Sequence, residues 1–201
     1  MKLYLIRHAE SEANKNKIFA GITDYPLSDN GLKQAEELKD RIISNGIKFD
    51  LIFSSPLKRT LQTITPTAKA LGIEITKDKN LIEMCVGDWE DLTFDQIYEL
   101  DAKVCDHIIE TDEFVGIPNQ ETHEEVSNRM YDEILKIIND NPNKDIAIVS
   151  HSIAIRSFMC KIFDVPFLKI LEIIGKLDNA HIMALEFDEN TKHFKILSKN
   201  M

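Results

Sequence analysis

Three short apolar runs, separated by longer segments with helical spacing, constrain the fold of this chain most strongly. The runs are residues 3–6 (LYLI), 50–54 (DLIFS) and 145–150 (DIAIVS). A short, continuously apolar run is typical of a strand that is buried on both faces of a parallel sheet. Strands that alternate with helical segments build an α/β domain. Because no internal repeat or linker interrupts the pattern, the 201 residues are predicted to form one α/β domain.

Capping signals predict where the main helices begin. Ser28 is a suitable N-cap for a helix over residues 29–45, and Thr122 forms a capping box with Glu125 at the start of a helix to residue 140. Ser55 and Pro56 are expected to open a further helix, which Pro66 should kink or weaken. The residues expected on the buried faces of the first two helices are Leu32, Ala35, Leu38 and Ile42, and Val126, Met130, Ile134 and Ile137. The other predicted elements are a short strand at 74–76, helical character over 92–110, a helix over 152–163, and a final hairpin of 179–187 and 193–197.

The charge and the cysteine content narrow the class of protein. With 34 acidic against 24 basic residues the formal charge is −10, so we do not expect nucleic-acid binding, which needs a basic face. An anionic substrate would have to bind in a local positive pocket. The three cysteines lack paired or metal-binding spacing, and the apolar run after Lys2 is too short for a signal peptide or a membrane span. We therefore expect a cytoplasmic protein without membrane contact.

Each of the three predicted strands is followed by residues that can bind or attack phosphate. Arg7 and His8 follow the first run, Arg59 lies in the first turn of the helix after the second, and His151 follows the third. Ligands of open α/β sheets bind beyond the carboxyl ends of the strands, where helix N-termini add N–H donors. Taken singly, each residue has an ordinary explanation as a surface charge or a hydrogen-bonded polar group. Their joint placement predicts a pocket for a tetrahedral dianion.

Five motifs, in order along nearly the whole chain, resemble those of the histidine phosphatase (phosphoglycerate mutase-like) superfamily. They are RHAESEAN (7–14), FAGITDYPLSDNG (19–31), SSPLKRTLQT (54–63), EMCVGDWE (83–90) and the late His151, with Asn179 before the last strand. The short chain and residues 89–94 (WEDLTF) are similar to the phosphatase branch. This resemblance implies a three-layer αβα sandwich with a mostly parallel central sheet. It also implies a single domain over residues 1–201, as a monomer or homodimer.

The resemblance further implies roles for individual residues. His8 would be the nucleophile that forms a phosphohistidine, Arg7 and Arg59 would bind the phosphoryl oxygens, His151 would stabilise the developing charge, and Glu83 would act as general acid and then as base. The residues expected to contact the substrate are Arg7, Asn14, Gly21, Ile22, Thr23, Arg59, Glu83, His151 and Ser152. The implied enzyme is a metal-independent, acid phosphatase-type phosphomonoesterase that acts on a small-molecule phosphate ester and needs no cofactor. A zinc site at His8, Glu83 and His151 is the alternative, although no two of these residues have local metal-ligand spacing.

Three positions depart from the pattern of the family. Ala9 and Ser152 follow the two histidines, and Asp91 follows residues 89–90, where the family usually has glycine. A side chain at such a position is strained only if the backbone requires a positive φ. Three functional classes therefore stay open: a phosphomonoesterase, a phosphoglycerate mutase that returns the phosphate to the sugar acid, and a catalytically weakened protein that binds phosphorylated ligands.

Residues 91–120 would, by the same resemblance, cap the pocket and contact the part of the substrate beyond the phosphate. The segment contains one basic residue, Lys103, and eight acidic residues: Asp91, Asp95, Glu99, Asp101, Asp106, Glu110, Asp112 and Glu113. A second anionic group on the substrate would meet like charge there, at a cost of about 1 kcal/mol or more per close contact. We therefore expect hydrolysis of monophosphates with neutral or apolar leaving groups and negligible phosphoglycerate mutase activity.

Overall fold

The six described strands form one mixed sheet. The computed structural model describes residues 1–111 and 114–201. The strands are β1 (Lys2–Arg7), β2 (Leu51–Ser54), β3 (Ile75–Lys77), β4 (Ile146–Ser150), β5 (Ile182–Phe187) and β6 (Phe194–Ser198). Their order across the sheet is β3-β2-β4-β1-β5-β6, in which β1 to β4 pair in parallel and β5 and β6 are antiparallel. The predicted mostly parallel sheet is confirmed, and the three apolar runs are its adjacent central strands.

The pairing of the central strands brings their carboxyl ends to one edge of the sheet. Arg7 at the end of β1 is opposite Ser150 at the end of β4, so His8 and His151 each follow by one residue. On the other side of β4, Ser54 of β2 is opposite Val149. The residues that follow all three strands therefore meet at the edge where α/β sheets bind their ligands.

Helices cover both faces of the sheet. The described helices are α1 (Glu12–Lys15), α2 (Asp29–Ser44), α3 (Lys58–Leu71), α4 (Phe94–Leu100), α5 (Ala102–Thr111), α6 (His123–Asp140), α7 (Ser152–Phe163) and α8 (Phe167–Ile174), with short 3₁₀ helices at Lys79–Leu81 and Gly87–Trp89. Side chains of β1 alternate between two layers: Leu3 and Leu5 pack with α6, α7 and α8, whereas Tyr4 and Ile6 pack with α2 and α3. The result is the expected three-layer αβα sandwich. None of the described helices is long and apolar enough to span a membrane.

Two helix starts agree with the capping predictions, and one buried face differs. Ser28 Oγ accepts a hydrogen bond from Gly31 N (3.0 Å), and Thr122 and Glu125 form the predicted capping box. The inward face predicted for α6 is buried, at Val126, Met130, Ile134 and Ile137. The prediction for Leu32 is wrong, because 47% of its surface is exposed. The buried stripe of α2 consists of Gly31, Ala35, Leu38 and Ile42, and Leu32 lies about 100° around the helix from Gly31.

The helix after β2 begins later than predicted. Ser55 is not its N-cap, because α3 starts at Lys58 and Leu57 occupies the cap position without a side-chain hydrogen bond. Ser55 instead continues the sheet pairing, since its N–H donates to Val149 O (2.9 Å). The helix then runs through Pro66 and ends at Gly72 in the left-handed conformation (φ 68°).

The remaining elements match the predictions with shifted ends. The helical character over 92–110 corresponds to two helices, α4 and α5, which are separated at Asp101. The short strand β3 lies one residue later than predicted, and the final hairpin starts at Ile182 rather than at residue 179. The sequence did not predict α8.

Candidate active site

A cavity of about 460 Å³ lies beyond the carboxyl ends of β1 and β4, a volume typical of a small-molecule site. Its lining includes five of the residues predicted to contact the substrate: Arg7, Asn14, Gly21, Glu83 and Ser152. The predicted residues His8, Arg59 and His151 are only 5%, 2% and 0% exposed and lie against one another. The structure therefore brings together the groups that follow all three central strands.

His8 is held in one tautomer. Its Nδ1 lies 2.7 Å from Ala9 O, and because a carbonyl oxygen only accepts hydrogen bonds, Nδ1 carries the proton. Burial lowers the pKa of His8 well below its ordinary value, and the positive charges of Arg59 and Arg7 act in the same direction. The ring is therefore neutral, and Nε2 has an unprotonated lone pair, which is the nucleophilic form of imidazole.

Two side chains fix the backbone around His8. Ala9 N donates to Thr63 Oγ1 (2.8 Å), and Asn179 Nδ2 donates to His8 O (3.2 Å). Thr63 lies on α3 and is fully buried, and its hydroxyl donates to Arg59 O (2.6 Å). The turn that carries His8 is thus tied to the helix that carries Arg59.

His151 packs beside His8, with the two ring centroids 5.1 Å apart. Arg59 Nε donates to Nδ1 of His151 (3.1 Å), so the proton of the neutral ring lies on Nε2, which donates to Ser55 Oγ (2.9 Å). Burial, together with the positive charge of Arg59, lowers the pKa of His151 well below its ordinary value. His151 is therefore a neutral hydrogen-bond donor next to the proposed nucleophile.

Arg59 binds the loop of residues 20–23. Its Nη1 donates to Thr23 O (2.8 Å), and its Nη2 donates to Gly21 O (2.7 Å) and Ala20 O (3.3 Å). With Nε bound to His151, all three nitrogens of the guanidinium donate to acceptors of the protein. Arg59 therefore does not offer a phosphate group the two parallel hydrogen bonds of a bidentate contact. The positive charge of Arg59 acts on the site from a buried position.

Glu90 holds the same loop from its other side. Its Oε1 accepts from Ile22 N (2.9 Å), and its Oε2 accepts from Thr23 N (3.2 Å) and Thr23 Oγ1 (2.9 Å). A Cβ on Gly21 would lie 2.1 Å from Met84 O, so only glycine fits at that position. Ile22 and Thr23, both predicted to contact the substrate, are not part of the cavity lining, and their N–H groups are bound to the Glu90 carboxylate.

Arg7 is the predicted arginine that lines the cavity. Its Nη1 donates to Leu177 O, while its buried Nε has no hydrogen-bond partner among the described residues. A buried donor without an acceptor is a place where a ligand oxygen fits, and Nε and Nη2 form the planar edge that binds an oxyanion bidentately. Asn14 Oδ1 accepts from Ser11 N (3.1 Å), so Nδ2 is the end of this amide that can donate to the same anion.

Glu83 lies at the N-terminus of α7. Its Oε1 accepts hydrogen bonds from Ala154 N (2.8 Å) and Met84 N (3.0 Å), and its Oε2 accepts from Ile153 N (3.2 Å). The residue is 8% exposed and lines the cavity beside Ser152. Three backbone donors thus hold the carboxyl group at the cavity wall, where it can exchange a proton with a leaving oxygen.

Two of the three departures from the family's glycines carry no backbone strain. Neither Ala9 nor Ser152 has a positive φ, and Ser152 is the first residue of α7. Asp91 does adopt the left-handed conformation (φ 65°), which aspartate tolerates better than most residues. The backbone next to the two histidines therefore accommodates its side chains in ordinary conformations.

The segment predicted to cap the pocket contributes two aromatic side chains to the cavity lining. Phe94 and Phe114 belong to the lining. The six described acids of the segment are exposed and do not line the cavity: Asp91, Asp95, Glu99, Asp101, Asp106 and Glu110. Asp112 and Glu113 lie outside the described residues. The expectation that these six acids repel a second anionic group is wrong, because their side chains face solvent.

Two cations that the sequence pattern did not indicate, Lys17 and Arg156, also line the cavity. Arg156 lies five residues after His151 in an otherwise apolar stretch of α7 and is only 5% exposed. An arginine is almost never fully buried without a partner or a function. That single charge within an apolar helix is the signal that would have identified it.

The predicted residues are not arranged as a metal centre. Among residues 1–111 and 114–201, no group of three or more His, Cys, Asp or Glu side chains is placed to hold a metal ion. Both ring nitrogens of His151 and both carboxyl oxygens of Glu83 are already bound to protein groups. His8, Glu83 and His151 therefore do not form the zinc site that was the alternative above.

Comparison with known proteins gives a family match over almost the whole chain. The family model described as histidine phosphatase superfamily (branch 1) matches residues 3–200. Phosphoserine phosphatase 1 from Hydrogenobacter thermophilus is 30% identical over 189 residues, which are 94% of this chain and 88% of that protein. The probable phosphoglycerate mutase GpmB from Salmonella newport is 28% identical over 190 residues, which are 94% of this chain and 86% of that protein.

Solved structures share the same fold. YhfR from Bacillus stearothermophilus superposes with a TM-score of 0.87 at 24% identity, over 98% of this chain and 95% of that one. Phosphoserine phosphatase from Entamoeba histolytica, in complex with 3-phosphoglyceric acid, gives a TM-score of 0.82 at 27% identity, over 100% and 96% of the two chains. The predicted αβα architecture is confirmed by these likenesses.

Proposed function

Because this chain belongs to the histidine phosphatase superfamily (branch 1) and is a phosphatase, we propose that it hydrolyses small-molecule phosphate monoesters through a phosphohistidine on His8. The proposal depends chiefly on the burial and the protonation state of His8. It is a buried, neutral imidazole whose Nδ1–H is bound to Ala9 O, with the charges of Arg7 and Arg59 beside it. A neutral nucleophile among cations is the arrangement that attack on a phosphate dianion requires.

The binding step follows from the donors around His8. Arg7 binds two phosphoryl oxygens through Nε and Nη2, and Asn14 Nδ2 donates to the same group. His151 would turn its Nε2–H from Ser55 Oγ towards a phosphoryl oxygen when the substrate binds. Arg59 adds positive charge from beneath the site and keeps the loop of residues 20–23 in place.

The chemistry proceeds in two steps that balance protons and bonds. In the first, the Nε2 lone pair of His8 forms a bond to phosphorus, the P–O bond to the alcohol breaks, and Glu83 gives its proton to the departing oxygen. In the second, water attacks the phosphohistidine while Glu83 takes a proton from that water. The P–N bond breaks, and inorganic phosphate and neutral His8 are released.

The pKa of His8 supports the assignment to the acid phosphatase type. Burial keeps the pKa of this imidazole well below 6.5, so the nucleophile stays unprotonated as the pH falls below that value. Because the Hydrogenobacter thermophilus relative is named a phosphoserine phosphatase, phosphoserine is the first ester to test. Activity that survives a chelator would support the metal-independent mechanism, whereas loss to chelator and recovery with Zn²⁺ or Mg²⁺ would contradict it.

A phosphoglycerate mutase is the second candidate, favoured by the name of the Salmonella newport relative. The two activities differ in what accepts the phosphoryl group from His8: water in a phosphatase, the hydroxyl of a phosphoglycerate in a mutase. ³¹P NMR of the enzyme with 3-phosphoglycerate separates them, because a phosphatase forms inorganic phosphate and a mutase forms 2-phosphoglycerate. A protein that only binds phosphorylated ligands forms neither.

Replacing the nucleophile tests the proposal. We expect His8→Ala to lose at least about 1,000-fold in kcat while it stays folded by circular dichroism. His193→Ala, which removes an exposed histidine of the β5–β6 hairpin, is the matched control. Quenched wild-type enzyme should carry phosphate that is labile to acid and stable to alkali. Turnover by His8→Ala, or a phosphoenzyme that survives acid, would show that His8 is not the nucleophile.

A further inference from the structure

Arg129 of α6 binds the backbone of the Glu83 segment, which we define as residues 80–85. Its Nη1 donates to Asn80 O (2.9 Å) and Ile82 O (2.8 Å), and its Nη2 donates to Glu83 O (3.0 Å). The side chain of Arg129 is 18% exposed and is not part of the described cavity lining. Arg129 therefore reaches the site only through the segment that carries Glu83.

Glu121 holds both Arg129 and the far end of the Glu83 segment. Its Oε1 accepts from Arg129 Nε (2.6 Å) and its Oε2 accepts from Arg129 Nη2 (2.9 Å), which are the two parallel hydrogen bonds of a guanidinium–carboxylate pair. Glu121 N also donates to Cys85 O (2.9 Å), and Cys85 N donates to Glu121 Oε2 (3.3 Å). One ion pair without formal net charge thus binds the segment at both of its ends.

The carboxyl group of Glu83 is anchored separately from its backbone. The N–H groups of Met84, Ile153 and Ala154 donate to its two oxygens. Hydrogen bonds to an ionised carboxylate are about twice as strong as those between neutral groups. These three donors therefore hold Glu83 firmly when it is ionised and more weakly when it carries the proton for the leaving group.

The hydrogen bonds from Arg129 do not depend on that proton, because they end on backbone carbonyl oxygens. When Glu83 is protonated, its carboxyl contacts weaken while the contacts of its backbone stay. A displacement of about 1 Å in a reacting group can cost about 100-fold in rate. The tie to Arg129 thus matters most in the state in which Glu83 is ready to give up its proton.

We propose that Arg129, paired with Glu121, is a positioning residue that keeps Glu83 in place while Glu83 protonates the leaving oxygen. This inference rests on the phosphohistidine mechanism proposed above. In the second step of that mechanism Glu83 starts ionised, so its three N–H donors hold it and Arg129 matters less. An aryl oxide leaves without protonation, so the first step with an aryl ester also depends little on Arg129.

Two esters of similar size and different leaving groups test the inference. Benzyl phosphate needs a proton at its leaving oxygen, whereas 4-nitrophenyl phosphate does not. We expect Arg129→Met to lower kcat/KM for benzyl phosphate by about 10- to 100-fold and kcat/KM for 4-nitrophenyl phosphate by less than about threefold. In quenched-flow measurements, hydrolysis of the phosphohistidine should keep its wild-type rate constant.

A double variant shows whether Arg129 acts through Glu83. Glu83→Gln keeps the size of the side chain and removes the acidic proton, so it should lower the ratio of kcat/KM for the benzyl ester to kcat/KM for the nitrophenyl ester. Adding Arg129→Met should lower this ratio no further, because no proton transfer is left to position. A residue needed only for folding would lower the values for both esters equally and leave the ratio unchanged.

Two further variants separate position from charge and from stability. Arg129→Lys keeps the charge but lacks the planar fork, so it should lower the ratio by less than Arg129→Met, and it carries the test if the methionine variant does not fold. Ile138 is buried about 13 Å farther along α6. Ile138→Val leaves a small cavity there and should lower stability while it keeps the wild-type ratio.

The outcomes distinguish this inference from the proposed function. A ratio that the Arg129 variants leave unchanged, or that Ile138→Val lowers equally, overturns the role of Arg129 and leaves the phosphatase proposal standing. Wild-type enzyme that hydrolyses only the nitrophenyl ester also overturns it, because the protonation that Arg129 is proposed to support does not occur. If wild-type enzyme hydrolyses neither ester and forms no phosphohistidine, the proposed function itself is wrong, and the inference falls with it.

Discussion

Replacing Thr63 by valine removes the hydroxyl that ties the His8 turn to α3. Thr63 Oγ1 is the acceptor for Ala9 N at 2.8 Å, and both residues are fully buried. Valine keeps the shape of threonine and removes both the acceptor for Ala9 N and the donor to Arg59 O. A buried N–H left without a partner costs about 1–3 kcal/mol in the free energy of unfolding, which for a chain of this length lowers Tm by roughly 2–12 °C.

Thr67 offers a matched control one turn later on the same helix. It is also fully buried, but its hydroxyl has no hydrogen-bond partner among the described residues. Thr67→Val should therefore leave the free energy of unfolding unchanged or raise it by up to about 1 kcal/mol. Urea unfolding of both variants gives the two stabilities, and turnover of an aryl phosphate reports the position of His8.

The two variants should also differ in activity. Ala9 follows His8 directly, so loss of the hydrogen bond from Ala9 N lets the backbone of this turn shift and moves the imidazole of His8. We therefore expect kcat of Thr63→Val to fall about 10- to 100-fold. Thr67→Val should keep wild-type kcat. Equal loss of stability in both variants, or full activity in Thr63→Val, would refute the view that this hydrogen bond positions His8.

Three further predictions concern the acid, the loop and the pH dependence of stability. Glu83→Gln should lower kcat for an alkyl phosphate by about 10²- to 10⁴-fold and for an aryl phosphate far less, and equal losses would show that Glu83 does not protonate the leaving group. Gly21→Ala should lower kcat/KM at least about tenfold, because the new Cβ would lie 2.1 Å from Met84 O; unchanged kinetics would show that the loop of residues 20–23 is not held rigidly. Burial and the charge of Arg156 lower the pKa of His123 from 6.5 to about 4, so the unfolded state binds more protons in that window and stability falls as the pH drops through it. His123→Gln should therefore reduce the slope of Tm against pH between these values, and an unchanged slope would contradict this account.

Local signals in the sequence predicted the parts of the structure that local interactions determine. Residues 3–6 of β1, 51–53 of β2 and 146–149 of β4 are apolar because helices cover both faces of these strands. The capping box of Thr122 and Glu125 is complete within four residues, so it can be identified without tertiary information. For the same reason the residues that directly follow the strands, including His8 and His151, were found correctly at one edge of the sheet.

The predictions from sequence were wrong where contacts between residues far apart in the chain determine the structure. The hydroxyl of Ser55 does not cap α3 but accepts from His151, 96 positions away, and the sequence contains no local trace of that contact. Helix α8 (FLKILEII) is only eight residues long and has no side-chain cap, so the sequence contains no signal for where it begins. Arg156 was missed because its stacking on Phe167 and its place in the cavity appear only after the chain has folded.

Because Arg7 of β1 pairs with Ser150 of β4, catalytic turnover depends on the correct register between these two strands. A slip of one residue between β1 and β4 would exchange the faces of Leu3 and Tyr4 between the two helical layers and move the two histidines about 3.3 Å out of alignment. The backbone hydrogen bonds between β1 and β4 therefore set the register of the two strands and, with it, the alignment of His8 with His151. A molecule with the wrong register has no aligned pair of histidines. The active molecules in a preparation are therefore those whose central strands paired in the correct register.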